Sequence, residues 1–410
     1  MTTIRDPLWN NIRVDSVARE LMDTPVFQRL RYVRQLGWAF LVYPGATHSR
    51  FEHALGAYNL ARCSLDMLER SGQLQRVRPD EGSIVCAAAL LHDVGHYPFS
   101  HALEEIGASH HEEVARSLVT EGPVAAVLES ALGRDAPARV HDLIRGASAS
   151  PLQRLISGSL DLDKIDYLKR DAMMCGVPYG EVDVDRLLDA LIVVDDLSTG
   201  EPTVAVHEKG LAALESLLFA KYQMYRNVYW HHAVRSATAI YKRLVDDALA
   251  EGSLQAASLA TFTDEGLLIS LERNGSGHVR ALLAHLRGRK LYKRILEVPA
   301  AELDESSLEW IATDRKRALR TEDEMAERLG LAPGELVLDF PAKEGMLGVD
   351  LPIVRRGGRV EHLTSEGLAR AINLPKLSEQ LYRSARWLRI FAVERREVDA
   401  DALLAELGAA

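Results

Sequence analysis

The chain has 410 residues, of which 47% are hydrophobic and 26% charged, and a formal net charge of −10. That length and balance describe an ordinary soluble globular protein with one large or two moderate domains. The negative charge argues against sequence-blind binding of DNA or RNA, which leans on lysine and arginine neutralising phosphates, so any basic site must be local.

Charges and Pro7 occupy Met1 to Trp9, where a signal peptide needs an apolar run, and the longest apolar stretch, Ile84 to Leu91, is too short to span a bilayer. The expected location is cytoplasmic. Cys63, Cys86 and Cys175 lie in or beside apolar helical pattern without a CxxC, which predicts reduced, buried thiols.

Along the chain, Thr24 caps a helix predicted over Pro25 to Leu36, with proline at its first position. Arg50 to Arg70 is helical by apolar spacing and stops near Gly72. Ser83 to Leu91 is nearly all apolar, a central helix buried on most sides that delivers His92 and Asp93 at its end. Asp161 to Cys175 reads as a helix ending at Gly176. Leu191–Val194 and Thr203–His207 read as a hairpin, and Lys209 to about Glu251 as one long helix.

From Ser253 the texture changes. Helices are predicted at Asp264–Arg273, Gly277–Leu296 and Ser306–Leu329. Strands follow at Glu335–Phe340 and Leu351–Val360, the latter turning at Gly357-Gly358, then a helix from Pro375 and a strand over Ile390–Glu394. The expected fold is mostly α: a helical bundle over residues 1–252 with a hairpin near 191–207, and a smaller C-terminal α+β lobe over 253–410 packed on it.

Seven of the fourteen histidines fall between His48 and His111. The telling string is His92-Asp93-Val94-Gly95-His96, followed by His101 and Glu104. His48 to His53 lies upstream, and His110-His111 and Asp161 to Tyr167 downstream. One helical turn brings His92 and His96 to one face, and Asp93 reaches the same point if the helix ends there, a break that Gly95 permits. Imidazole with carboxylate suits Mn, Fe, Zn or Ni better than magnesium, which prefers oxygen ligands.

The string HDVGHYPFSH, with His53 before it and Asp163 after it, resembles the HD superfamily of metal-dependent phosphohydrolases. More narrowly, FQRLRYVRQLG (Phe27 to Gly37), YPGATHSRFEHALG (Tyr43 to Gly56) and DLDKIDYLKRD (Asp161 to Asp171) resemble the deoxynucleoside triphosphate (dNTP) triphosphohydrolases. Weaker similarity continues through Lys221–His232 and Ile353–Leu388, without the sterile-alpha motif of the mammalian member.

The resemblance implies metal ligation by His53, His92, Asp93 and Asp163, with magnesium accompanying the substrate triphosphate. It implies that His101, oriented by Glu104, acts at the α-phosphate, and that His96 and His111 stabilise charge there. Arg50, Lys164, Tyr167, Lys221 and Tyr229 are implied as contacts to the substrate, and Gln35, Leu36 and Asp171 as readers of the deoxyribose. Lys221 departs from the arginine common at its position, losing the bidentate fork, and Tyr225 replaces a histidine.

Asp23, Gln28 and Arg31 match guanine-reading positions of a GTP or dGTP activator site, although helix capping and surface charge explain Asp23 and Arg31 equally. His207 and His232 replace basic residues there. A homo-oligomer, dimer or tetramer, is also implied. The expected activity is hydrolysis of a dNTP to deoxynucleoside and inorganic triphosphate. An HD-type phosphodiesterase or phosphomonoesterase on another nucleotide, and a nucleotide-sensing or nucleic-acid-binding protein, stand as alternatives.

Overall fold

The computed structural model describes residues 2–197, 199–342, 350–363 and 374–408, with the side chains of 374–379 left out. Residues 364–373, part of the stretch carrying the weaker resemblance, lie outside the described residues. The architecture is mostly α-helical, as expected, with three small sheets among the described residues.

The chain begins in an unpredicted antiparallel hairpin, β1 (Thr2–Asp6) and β2 (Asn10–Val14). Asn10 takes φ 62° at the turn, a left-handed conformation asparagine tolerates, and Ile12 and Val14 alternate inward. Helix α1 (Ser16–Met22) leads to α2 (Pro25–Gln28), where Thr24 caps and Pro25 opens the helix as predicted.

The helix predicted to Leu36 stops short. The chain tightens into a 3₁₀ turn at Arg29–Tyr32, then runs extended as Arg34 bridges Ser49 and the Gln35 amide donates to the His48 carbonyl at 3.0 Å. This tertiary pairing overrides local propensity, and periodicity cannot register it.

Helices α3 (Arg50–Arg70), α4 (Glu81–Leu91), α5 (His111–Thr120), α6 (Gly122–Leu132), α7 (Ala136–Ile144) and α8 (Leu162–Cys175) form the bundle. α4 runs through its middle with Ile84, Val85, Ala88, Leu90 and Leu91 fully buried, flanked by α3 and α7. α3 also packs on α8, which Asp161 caps and Gly176 ends at φ 68°.

After α9 (Val184–Leu188), β3 (Leu191–Asp195) and β4 (Pro202–His207) form the expected hairpin. The single helix predicted over 209–251 is two, α10 (Leu211–Met224) and α11 (His232–Ala250), separated by a π-helical turn at Tyr225–Tyr229. Further on are α12 (Asp264–Asn274) and α13 (Gly277–Arg287). The latter ends earlier than predicted, and Lys293–Pro299 is strand β5.

The helix predicted over 306–329 divides into α14 (Glu305–Leu308), α15 (Trp310–Thr313) and α16 (Arg315–Arg328). Asp304 and Asp314 each accept a backbone N–H at a helix start, at Ser306 and Arg317, and such caps favour separate starts. β6 (Leu336–Asp339), β7 (Leu351–Val354), β8 (Val360–Leu363), α17 (Leu374–Ala385), β9 (Trp387–Ala392) and α18 (Ala400–Leu407) complete the described chain.

β7 joins β4 in parallel, giving a sheet ordered β3-β4-β7-β8, so a division at residue 252 would cut this sheet. A second sheet is ordered β5-β9-β6. Leu351, Ile353 and Leu363 share the core of α3, α4 and α8, while Val337 and Phe391 share that of α11–α13. Cys63 is exposed rather than buried, and Cys86 and Cys175 are half-buried. Among the described residues no helix is long and apolar enough to cross a membrane.

Candidate metal and phosphate site

The site is assembled at the start of α3, the end of α4 and the start of α8. A capping box fixes the first turn of α3: the Ser49 amide and hydroxyl both donate to the Glu52 carboxylate. That turn aims Arg50 and His53 inward, both essentially buried. α4 ends at Leu91, so His92 and Asp93 leave the helix where they meet His53. Gly95 is needed for close approach rather than flexibility, since a Cβ there would lie 2.0 Å from the His111 carbonyl of α5.

Four predicted residues converge. His53 Nε2 lies 2.8 Å from Asp163 Oδ1, 3.1 Å from His92 Nε2 and 3.7 Å from Asp93 Oδ2. His92 Nε2 lies 3.4 Å from Asp93 and 3.6 Å from Asp163. Each histidine turns its other nitrogen to an acceptor: His92 Nδ1 to the Ala89 carbonyl at 2.8 Å, His53 Nδ1 to Asp166 at 2.8 Å. Such contacts leave Nε2 facing the centre and fix the tautomer suited to a metal.

The charge distribution fits a cation. Burial opposes ionisation of Asp93 and Asp163, yet Arg50, His92 and His96 hold the Asp93 carboxyl, and His53 and His92 the Asp163 carboxyl, well below the usual range. Burial likewise opposes protonation of His53, but hydrogen bonds to Asp163 and Asp166 win and push its pKa up to about 10. His53, His92 and Asp93 are positioned to hold a metal ion, with the Asp163 carboxylate 2.8 Å from His53 Nε2 beside them, and imidazole with carboxylate suits a transition metal.

A second group stands alongside. His96, His101, Glu104 and His111 present ligand atoms within 4.8 Å of one another. Glu104 lies 3.3 Å from His101 Nδ1 and 2.9 Å from His111 Nδ1. His96 stacks on His111 with ring centroids 3.7 Å apart, and its Nε2 is 3.1 Å from Asp93. Burial, then the charges of Arg50 and His111, push the His96 pKa well below the usual imidazole range, whereas the His101 side chain is 59% exposed.

His101 and Glu104 ride on a 3₁₀ helix, Ser100–Ile106, entered through Phe99 and Ser100 at φ 58° and 70°. Two consecutive left-handed non-glycine residues store strain, a feature that gathers at functional sites. Trp38 stacked on Phe99 at 4.0 Å and the Phe99 amide bonded to Asp264 hold the turn.

The predicted sugar readers form a third group. Asp171 accepts from the Tyr229 hydroxyl at 2.7 Å and meets His48 Nε2 at 2.7 Å. Gln35 is buried with its Oε1 unpartnered, and Leu36 packs beside the main core. The Tyr167 ring lies 6.4 Å from His53 and 6.4 Å from Tyr229, bridging the groups. Lys164 donates to the Gly158 carbonyl and Asp161, and Lys221 is buried with its ammonium 5.8 Å from the Tyr225 ring.

The activator positions lie at the surface. Asp23 closes α1, and Gln28 accepts from Arg31, whose guanidinium sits 3.5 Å over Phe51. His207 Nδ1 accepts from the Lys209 amide. His232 lines a separate cavity of about 330 Å³ with Arg289, Lys293, Arg294 and Arg395.

Sequence reasoning gave no role to His48, Asp166, Ser100 or Arg235, all buried in contact with these groups or beside them. Asp166 sits inside a motif already singled out, three residues after Asp163, and that spacing on a helix was its signal.

Residues 50–171 match the family described as HD domain, and residues 182–373 the HD associated region. The chain belongs to the HD-domain phosphohydrolase family. The chain is similar to an uncharacterized protein of Methanocaldococcus jannaschii, 34% identical over 333 residues covering 80% of this chain and 67% of that one.

Human deoxynucleoside triphosphate triphosphohydrolase SAMHD1 is 29% identical over 270 residues, 56% of this chain and 42% of the human enzyme. A similar fold is seen in the crystal structure of a hypothetical protein from Aquifex aeolicus, with a TM-score of 0.71, 27% identity and coverage of 99% of this chain and 98% of that one. Against these two curated relatives the chain spans only about two fifths to two thirds of their length.

Proposed function

We propose that the protein hydrolyses a dNTP to the deoxynucleoside and inorganic triphosphate by attack at the α-phosphate. The observation that carries this reading is the span of the site. A cation-shaped group at His53 and a hydroxyl-binding carboxylate at Asp171 lie one aromatic ring, Tyr167, apart, close enough for a phosphate and its sugar. The likeness to human SAMHD1, named a dNTP triphosphohydrolase, points the same way.

A transition metal such as Mn, Fe, Zn or Ni held by His53, His92, Asp93 and Asp163 would polarise the phosphate and acidify a bound water. The remaining work falls to side chains. Arg50, fixed by Asp93 at 2.6 Å and by Ser100, offers positive charge to a phosphate oxygen. His101, its Nδ1 turned to Glu104, would supply a proton to the departing 5′ oxygen. His111 supplies a second donor toward the phosphate, while His96, proposed for the same face, shares its Nε2 with Asp93. Tyr167, Gln35, Leu36, Asp171 and Tyr229 form the nucleoside side, and Lys164 and Lys221 the charge near the triphosphate, with its accompanying magnesium.

The proposal extends to a dimer or tetramer and to a GTP or dGTP activator read by Asp23, Gln28 and Arg31. Tyr32, 66% exposed beside Arg31, supports a contact surface there, and the basic cavity at His232 supports an anionic ligand.

The test is product chromatography across dNTPs, ribonucleotides, monophosphates and cyclic dinucleotides, with metal content measured on the same sample. Inorganic triphosphate from dNTPs is the expected result. Release from cyclic dinucleotides or monophosphates alone would instead establish the phosphodiesterase or phosphomonoesterase alternative.

A further inference from the structure

We propose that the N-terminal hairpin is part of the metal site, and that it tunes metal affinity through Trp9 and the positioning residue Asp166. Asp166 is fully buried and its carboxylate is saturated. Oδ2 accepts from His53 Nδ1 at 2.8 Å and from Arg170 Nε at 2.8 Å. Oδ1 accepts from Arg170 Nη2 at 2.9 Å and from the Trp9 indole N–H at 2.5 Å. An ionised carboxylate only accepts, so the Nδ1 proton of His53 is fixed and Nε2 is the nitrogen left for the cation. Carboxylates placed behind a ligating imidazole orient the ring and raise its basicity.

The hairpin reaches this point by a specific route. Arg170 extends its other edge to Asp6 at 2.9 Å, and Asp6 accepts from the backbone amides of Leu8 and Trp9 at 2.9 and 2.8 Å. One guanidinium therefore clips the hairpin turn to α8 and sets the indole against Asp166. α3 leaves room for this: a Cβ on Gly56, one turn beyond His53, would fall 1.8 Å from Asp166 Oδ1 and 2.6 Å from Arg170 Nη2. Because Arg170 is shared between two carboxylates, Asp166 retains negative charge toward His53. A hairpin that served only to cover the bundle would not need its one indole donor on the carboxylate behind a candidate ligand.

The experiment uses the full chain, Mn(II) as probe and chelator competition as readout, with the melting temperature of the metal-free protein followed in parallel. Asp166→Asn keeps the shape and removes the charge, and its Mn(II) dissociation constant is expected to rise by about 10–100-fold. Trp9→Phe removes one N–H donor and keeps an aromatic ring, and a smaller, several-fold rise is expected. Should Asp166→Asn not fold without metal, Trp9→Phe decides alone. A folded Trp9→Phe protein with wild-type affinity overturns the proposal whatever its melting temperature, because a purely structural hairpin would move the melting temperature only. Wild-type protein that binds no Mn(II), Zn(II) or Fe(II) would overturn it together with the metal assignment.

Discussion

Asp93→Ala is expected to lower metal-dependent hydrolysis by more than about 100-fold, beyond what losing a group behind a ligand costs. Asp93 faces His53, His92 and His96 with its two oxygens and also holds Arg50 at 2.6 Å. The substitution therefore removes a candidate metal ligand and strands a guanidinium whose side chain is 3% exposed. An unpaired buried charge costs about 3–5 kcal/mol by itself, so activity alone would not identify the cause. Asp93→Asn separates the two effects: it retains an acceptor for Arg50 but loses the charge that attracts the metal. Metal content by elemental analysis, beside turnover and melting temperature, is the check. A folded Asp93→Asn protein with full metal and full activity would refute the ligand assignment.

Arg235→Ala is expected to destabilise the protein by about 3–5 kcal/mol, the cost of breaking a buried ion pair from one side, as read by denaturant unfolding. Arg235 grips Glu105 with both terminal nitrogens at 2.9 Å and Asp339 through Nε at 3.0 Å. Without it, Asp339, which has no exposure, is left with Arg389 Nη1 at 3.9 Å, whereas Glu105 keeps Lys242 at 3.0 Å. The network joins α11 and β6 to the strained 3₁₀ segment that carries His101 and Glu104. Turnover should therefore fall in the folded fraction while bound metal stays at the wild-type level, the reverse of the Asp93 result. Unchanged stability would mean that the network contributes little.

The parts of this site that the sequence announces are those whose chemistry is local. His92, Asp93 and His96 lie within five residues at the end of an apolar run, and the buried α4 explains why they must emerge together. α3 and α8 were equally legible, because apolar spacing runs from Arg50 to Arg70 and Gly72 and Gly176 are stops. The break at Tyr225–Tyr229 was not, since neither proline nor glycine marks it; yet this π turn carries Tyr229, which donates to Asp171, and π turns recur at functional sites.

The N-terminal hairpin left a faint trace in the alternation of Ile12 and Val14, with asparagines at the turn. His48 gave no signal, and the spacing of Asp166 marked a helix face without a role, for a different reason. Their meaning lies in partners 123 and 113 residues away, Asp171 and His53, and only the packing of α3 on α8 brings those together.

Hydrolysis of a dNTP in ¹⁸O-water, with phosphorus NMR and mass analysis of both products, tests the central claim most directly. In the proposed reaction the cationic and histidine groups take the phosphate side and the hydroxyl readers the sugar, so attack is expected on the α-phosphorus. The predicted result is one ¹⁸O in inorganic triphosphate and none in the deoxynucleoside. Label in the deoxynucleoside, or release of orthophosphate or monophosphate in place of triphosphate, would contradict the account.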